Sequence, residues 1–333
     1  QLQPRGKMDN SQFTMAGLKD FAYEWLSDSD YIVAHTSGST GTPKEILLPK
    51  ADMTVSARAT NQRFSITSQS TLAAPLSINY IAGKMMWVRA HEAGCNLLEM
   101  PVSNELTIDC DIDLLAIVPS QVESLLTQTD APKKIRNLII GGAPLSDSLR
   151  HKLIVKGFNA FLTYGMTETC SHVAISKISD EDNLFEAMPG ISFATDSRGC
   201  LVINAPQYSF KQLVTNDIVN LVSPTSFIWV GRYDNIINSG GIKISPEQLE
   251  KSIKQFIDKN FYIVGEPDNK WGQVAVMIFE GHEDEESDIL QTMRTNLDHR
   301  LCPKKAIAVD KLPKTSNGKI QRKTIGEIRN QAC

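Results

Sequence analysis

Residues 36–44 read TSGSTGTPK, with five hydroxyl side chains and two glycines in nine positions, closed by Lys44. Such a segment has no apolar face to bury. Apolar runs adjoin it on both sides, at 31–34 and 46–48, so the pattern predicts strand, loop, strand. Glycines let backbone N–H groups come close to an anion, hydroxyls donate further hydrogen bonds, and the lysine adds positive charge. The combination points to a grip on phosphates. The GxxxxGK[ST] pattern does not fit, because Pro43 stands five residues after Gly38 and Lys44 is followed by Glu45. A plain Ser/Thr/Gly linker is the other reading, and the directly flanking apolar runs weigh against it.

Beyond the loop, apolar segments stay short. Those at 72–74, 114–118, 138–140 and 160–162 are bounded by Pro, Gly or Asp, with helix-like stretches at 121–128 and 145–156 between them. Alternation of this kind predicts an α/β domain around a buried, mostly parallel sheet. Past about residue 185 the texture changes to short strands separated by turns. The expected organisation is a large N-terminal α/β domain over residues 1–231 and a small, mobile C-terminal α+β domain over 232–333. In the latter, Ser245-Pro246-Glu247 reads as a helix cap followed by proline, with a helix running to about Lys259. The acidic run at 282–288 reads as a solvated loop and helix start, where carboxylates suit the helix dipole.

The chain has 333 residues and a formal net charge of −4, so it carries no basic footprint for nucleic acid. No apolar run reaches the roughly 20 residues of a membrane helix, and no leader is read at the start, Gln1-Leu2-Gln3-Pro4. That start is expected to be the edge of a fragment or of added residues. Six scattered cysteines without a CxxC pair suggest free thiols in a reducing cytoplasm. The six histidines lack HxH or HxxxH spacing, so a protein-built transition-metal site is not expected.

Four further segments join the opening loop: GGAPLS (141–146), YGMTET (164–169), GRYDNIINSGGIKISPEQLE (231–250) and PKTSNGKIQR (313–322). In this order the five resemble the core motifs of the acyl-adenylate-forming superfamily, which holds the acyl-CoA synthetases, the adenylation domains of peptide synthetases and the luciferases. The resemblance runs from about Ile32 to the end. It implies an ATP-dependent acid–CoA ligase with ATP, Mg²⁺ and coenzyme A as cofactors. A carboxylate would attack the α-phosphate of ATP to give an acyl-AMP, which a thiol then intercepts. Its partners would be small molecules, with no nucleic acid and no membrane insertion, and a homo-oligomer is compatible with it.

The same resemblance assigns roles. Thr36, Ser37, Gly38, Ser39, Thr40, Gly41 and Lys44 would hold the β- and γ-phosphates. Gly141, Gly142, Ala143 and Pro144 would bring backbone close to the adenine side. Tyr164, with Gly165 and Met166, would lie along the adenine, Thr167 would bond the α-phosphate, and Glu168 would hold Mg²⁺. Asp217 and Arg232 would bind the ribose, and Asp234 matches a hinge. Lys319 would reach the acyl carboxylate and the α-phosphate. Gly240, Gly241 and Lys243 would face the pantetheine arm in the thioester step. Glu247 and Glu250, at i and i+3 on one helix face, read as structural.

Departures from the pattern are informative. Asn216 replaces the glycine of a TGD turn, where asparagine tolerates positive φ. Glu45 follows the loop lysine where glycine is usual, so it must point away or meet a cation. On the acid side, the segment PLSINYIAG (75–83) makes Tyr80, Gly83, Lys84 and His172 candidate substrate residues. Lys84 and Arg89 are candidates to read a second carboxylate; ordinary exposed cations are the other reading. Only 35 residues precede the loop, far fewer than in most relatives. This compactness resembles the o-succinylbenzoate–CoA ligases of menaquinone biosynthesis more than acetate or long-chain ligases. A ligase for another aromatic or short-chain acid, an adenylation module serving a free carrier protein, and a degenerate nucleotide binder are the alternatives.

Overall fold

A computed structural model describes residues 17–35, 45–181, 183–313 and 320–329. The chain divides into two compact units. One takes residues 1–194, 203–213 and 221–228; the other takes 195–202, 214–220 and 229–333. The second unit thus gathers two short pieces from before Arg232.

The first unit begins with helix α1 (Leu18–Leu26) and strands β1 (Tyr31–His35) and β2 (Glu45–Pro49). β1 and β2 pair antiparallel with His35 opposite Glu45, so the strand–loop–strand expectation holds at both ends of the glycine-rich segment. The segment itself, residues 36–44, lies outside the described residues. Helix α2 (Lys50–Phe64), β3 (Thr71–Ala74), α3 (Ile81–Ala93), β4 (Asn96–Glu99) and β5 (Leu114–Ile117) follow. Next come α4 (Val122–Thr127), α5 (Ala131–Lys134), β6 (Leu138–Ile140), α6 (Asp147–Val155) and β7 (Ala160–Gly165). β4, β3, β5, β6 and β7 form a parallel sheet in that order. β8 (His172–Lys177) and β9 (Leu184–Ala187) extend it antiparallel. The strands read as uninterrupted apolar runs because both faces are covered. One core packs Leu115, Leu138 and Ile140 against Val122, Leu125 and Leu153. A second gathers Phe21, Trp25, Met53, Met85 and Trp87, together with Ile32 and Leu48 of the ribbon. Each such large side chain, fully buried, contributes about 1.5–3 kcal/mol.

Strands β10 (Ser192–Thr195), β11 (Cys200–Ala205), β12 (Lys211–Ser223) and β13 (Ser226–Arg232) supply segments to both units. In the second unit, β14 (Ile237–Ser239) and β15 (Ile242–Ile244) form a hairpin. Its two-residue turn, Gly240-Gly241, has φ of 57° and 85°, the sign that a primed turn requires of both central residues. Helix α7 (Pro246–Ile253) starts at the expected cap, where the Ser245 hydroxyl accepts the Gln248 N–H. It stops well short of Lys259. The residues after it, Phe256, Ile257, Asp258 and Asn260, are modest helix formers, and Ile257 is buried in the core without them being helical. β16 (Phe261–Asp268), β17 (Gly272–Glu280), α8 (Glu286–Asn296), β18 (Lys305–Val309) and α9 (Ile325–Arg329) complete the unit. The acidic run does open a helix, as expected, with Glu285 bonded to the His282 N–H and paired to Lys259 at 2.6 Å.

Among the described residues no helix is long and apolar enough to cross a membrane. The five described cysteines, Cys95, Cys110, Cys170, Cys200 and Cys302, are free thiols.

Candidate active site

In the first unit the YGMTET segment leaves β7 and turns sharply into β8. The sheet register shifts between Tyr164 and Gly165. Gly165 is required there by close approach: a Cβ would collide with the Ser171 carbonyl. The turn over Thr167–Thr169 is tied by Thr169, which is fully buried. Its hydroxyl oxygen accepts the Met166 N–H at 3.0 Å, and it reaches the Ser171 carbonyl at 2.7 Å. This leaves Thr167 half-buried and Glu168 exposed at the turn. Tyr164 lies edge-on to Phe227 (5.1 Å between ring centroids) and near Phe185 (5.9 Å), an aromatic bed suited to a planar ring. Gly141, Gly142, Ala143 and Pro144 follow β6, with Gly141 against the Thr163 side chain, and Ser146 caps α6 by accepting the Leu149 N–H at 3.3 Å.

Glu45 points across the ribbon, where its nearest described partner is a histidine, ionic only when protonated. Its carboxylate faces His35 Nε2 at 3.5 Å. Tyr80 stands immediately before α3, and Gly83 is buried in its first turn. Lys84 is engaged already: its ammonium lies 3.5 Å from the Glu24 carboxylate and 4.5 Å over the Phe21 ring.

Arg89, one helical turn further on, is only 2% exposed. Its Nη2 donates to the Ser171 hydroxyl and its Nη1 approaches the Met86 sulfur at 3.2 Å. Its Nε has no partner among the described residues, and the influences on its charge are burial and Tyr208, with no described carboxylate among them. Burial alone pulls the guanidinium down to about 10, with the nearby Tyr208 acting weakly the other way. His172 is buried beside it, with Nε2 at 3.1 Å from Thr60 Oγ1 and Nδ1 at 3.4 Å from Ser171 Oγ. Burial, and then the Arg89 charge, holds this imidazole well below its ordinary value, so it is neutral.

In the second unit, Asp217 is 5% exposed. The indole N–H of Trp229 donates to it at 3.1 Å, and Arg232 lies 3.5 Å away. Arg232 also reaches Asp234 at 3.0 Å, and Asn216 Nδ2 donates to both Asp234 oxygens at 3.2 Å. Thr215, Asn216 and Asp217 therefore do not form the turn expected from a TGD-like tripeptide. They lie within the extended strand β12, and none has positive φ. The physical reason is the use found for the amide: Asn216 bridges Asp234 and Arg198 as a strand residue, where glycine would supply nothing. Trp229 had no sequence signal; its role comes from lying beside Asp217.

Gly240 backs onto the Trp271 ring, and Lys243 is exposed on β15. Glu247 and Glu250 are structural, as expected. Arg322 donates to Glu250 from both ends of its guanidinium, lies 3.6 Å from Glu247, and bonds the Ile263 carbonyl at 2.9 Å. Lys319 lies outside the described residues. Among the described residues no three His, Cys, Asp or Glu side chains cluster as a metal cage. Glu168 alone, exposed at its turn, fits an ion such as Mg²⁺, which typically takes one or two protein carboxylates and completes its shell with phosphates and water.

Comparisons with known proteins identify the family and the fold. The model of the AMP-binding enzyme family matches residues 7–195, and that of the AMP-binding enzyme C-terminal domain matches 246–319. A 2-succinylbenzoate–CoA ligase of Listeria monocytogenes is 28% identical over 327 residues, covering 89% of this chain and 69% of the relative. A ligase of the same name from Bacillus cereus is 23% identical, covering 94% and 74%. Among solved structures, an acyl-CoA synthetase (AMP-forming)/AMP-acid ligase II-like protein of Dyadobacter fermentans is 31% identical. The match covers 93% of this chain and 92% of that one, with a TM-score of 0.61. The fold is also that of the o-succinylbenzoate CoA synthetase MenE of Bacillus subtilis solved with ATP and magnesium, at 22% identity, covering 87% and 68%, with a TM-score of 0.73.

Proposed function

The chain belongs to the AMP-binding enzyme family, and from that premise we propose that it is an AMP-forming acid–CoA ligase whose acid is 2-succinylbenzoate. The observation that carries the choice of acid is Arg89. A guanidinium buried to 2% without a carboxylate beside it among the described residues is costly, and an acid that brings its own second carboxylate would offset that cost. 2-Succinylbenzoate carries two carboxylates, one to react and one to be read. Arg89, aimed by the Ser171 oxygen, holds the second, and the first is thereby placed for attack.

In the first step the reacting carboxylate oxygen attacks the α-phosphorus of ATP, the bond to the β-phosphate bridging oxygen breaks, and pyrophosphate leaves. Bound Mg²⁺, held by Glu168, would neutralise phosphate charge. Thr167 donates to the α-phosphate, and Tyr164 supports the adenine on its aromatic bed. Asp217, oriented by Trp229 and Arg232, accepts from the ribose hydroxyls. Lys319 and the 36–44 loop supply positive charge and donors where charge develops on the phosphates. In the second step the thiol sulfur of coenzyme A bonds to the acyl carbon and AMP leaves, with Gly240, Gly241 and Lys243 facing the pantetheine arm.

The test is pyrophosphate exchange over a panel of 2-succinylbenzoate, benzoate, coumarate and acetate, followed by thioester formation with coenzyme A. Selective exchange with 2-succinylbenzoate is expected. Preference for a monocarboxylate would overturn the choice of acid, and absence of exchange with every acid would overturn the ligase reading.

A further inference from the structure

The Thr60, Ser171 and His172 contacts have a direction that hydroxyl and imidazole protons decide. The Thr60 hydroxyl donates to the Ser56 carbonyl at 3.1 Å, back along α2. Its oxygen is then the acceptor for His172 Nε2, 3.1 Å away, which places the imidazole proton on Nε2. His172 Nδ1 is left with a lone pair and faces the Ser171 hydroxyl at 3.4 Å, so that hydroxyl donates to it. The Ser171 oxygen then turns its lone pairs to Arg89 Nη2. The opposite tautomer would leave the Ser171 proton without an acceptor among the described residues. The chain of bonds thus runs one way: Arg89 to Ser171, Ser171 to His172, His172 to Thr60, Thr60 to the helix backbone.

We infer that His172 is a positioning residue for acid selection: by accepting the Ser171 proton it fixes the serine oxygen as the acceptor that aims the Arg89 guanidinium at the second carboxylate. The inference rests on the reading of Arg89 given above. His172 acts through Ser171, with its two ring nitrogens on Ser171 and Thr60. The device suits a buried cation, since a neutral relay can orient it without cancelling the charge that an aspartate or glutamate would cancel.

The test compares 2-succinylbenzoate with 4-oxo-4-phenylbutanoate, which lacks the ring carboxylate, by KM in pyrophosphate exchange. His172→Phe and His172→Gln should raise the ratio of the first KM to the second by about tenfold, the scale of one hydrogen bond to a charged group. His172→Asn, whose side-chain oxygen can take the place of Nδ1, should restore most of the difference. Thr60→Val, which removes the acceptor for Nε2–H and is a milder change to the core, should raise the ratio by a smaller factor. An unchanged ratio in His172→Gln and Thr60→Val, or an equal rise in both KM values, would overturn the relay. Arg89→Met separates the two failures. If it changes the ratio while the His172 variants do not, the relay is wrong and the carboxylate reading stands. If it leaves the ratio unchanged, the carboxylate reading itself is wrong and the relay falls with it.

Discussion

Arg89 and Arg322 are the same residue type, both withdrawn from solvent, and they are treated in opposite ways. Arg322 carries its own anions: Glu250 in a two-pronged pair, Glu247 at 3.6 Å, and the Ile263 carbonyl. Burial presses its pKa down, but the Glu250 hydrogen bond and the charges of Glu250 and Glu247 outweigh it, and the net direction is up. Arg89 has a serine hydroxyl and a methionine sulfur, and burial takes its guanidinium down to about 10. A structural arginine is completed by the fold. Arg89 has no described carboxylate to complete it, which is what supports the proposal that it meets an anion brought by the substrate.

The largest expected effect falls on the completed member. Arg322→Met should destabilise the protein by about 3 kcal/mol, because the half-buried Glu250 and Glu247 lose their cation and keep, among the described residues, only the Ile263 N–H and the Asn235 and Ser245 side chains, with no change in the KM ratio of the two acids. Denaturant unfolding followed by exchange kinetics checks both halves. Arg89→Met should do the reverse: stability unchanged or slightly raised, and KM for 2-succinylbenzoate up by about 100-fold through loss of a charge-assisted pair. A destabilised Arg89→Met would mean that Arg89 too is a scaffold residue. Asp217→Asn supplies a reference outside the comparison. It keeps an acceptor for the Trp229 indole but removes the charge, and should raise KM for ATP by about tenfold while leaving the acid ratio alone.

The smallest effect concerns pH. His172 faces Arg89, Thr60 and Ser171, with Tyr208 near the guanidinium, and its folded pKa lies well below 6.5 because of burial and then the Arg89 charge. Between that folded value and 6.5 the unfolded chain binds a proton that the folded chain refuses. Stability contributed by neutral His172 is therefore complete above about pH 6.5 and is lost as the pH falls below it. Melting temperatures at about pH 7.5 and about pH 5.5 should differ less in His172→Asn than in the wild type. Equal differences would show that the imidazole titrates as an exposed one does.

Much of the fold was legible because it depends on local pattern. The parallel strands announce themselves as short apolar runs, and α7 by Ser245-Pro246; the hairpin turn at Gly240-Gly241 was not read from its two glycines. Where local pattern was ambiguous, tertiary contacts settled it. Asn216 read as a turn residue and is a strand residue bridging Asp234 and Arg198. Lys84 read as a carboxylate reader or an ordinary exposed cation, and is engaged by Glu24 and Phe21. Glu45 read as an awkward charge and faces His35 across the ribbon. Nothing in sequence distance predicts these partners: Lys84 and Glu24 are 60 residues apart, and Arg322 and Glu250 are 72 apart.

The sequence by itself determined the family, since motifs such as YGMTET are contiguous and a few residues dictate their local backbone geometry. It could nominate Lys84 and Arg89 equally as readers of a second carboxylate. The tertiary structure is what sets them apart, with Lys84 engaged by Glu24 and Arg89 buried with an orphan Nε, because whether a cation is neutralised depends on which distant side chains folding brings within a few ångströms, and on how much water folding removes.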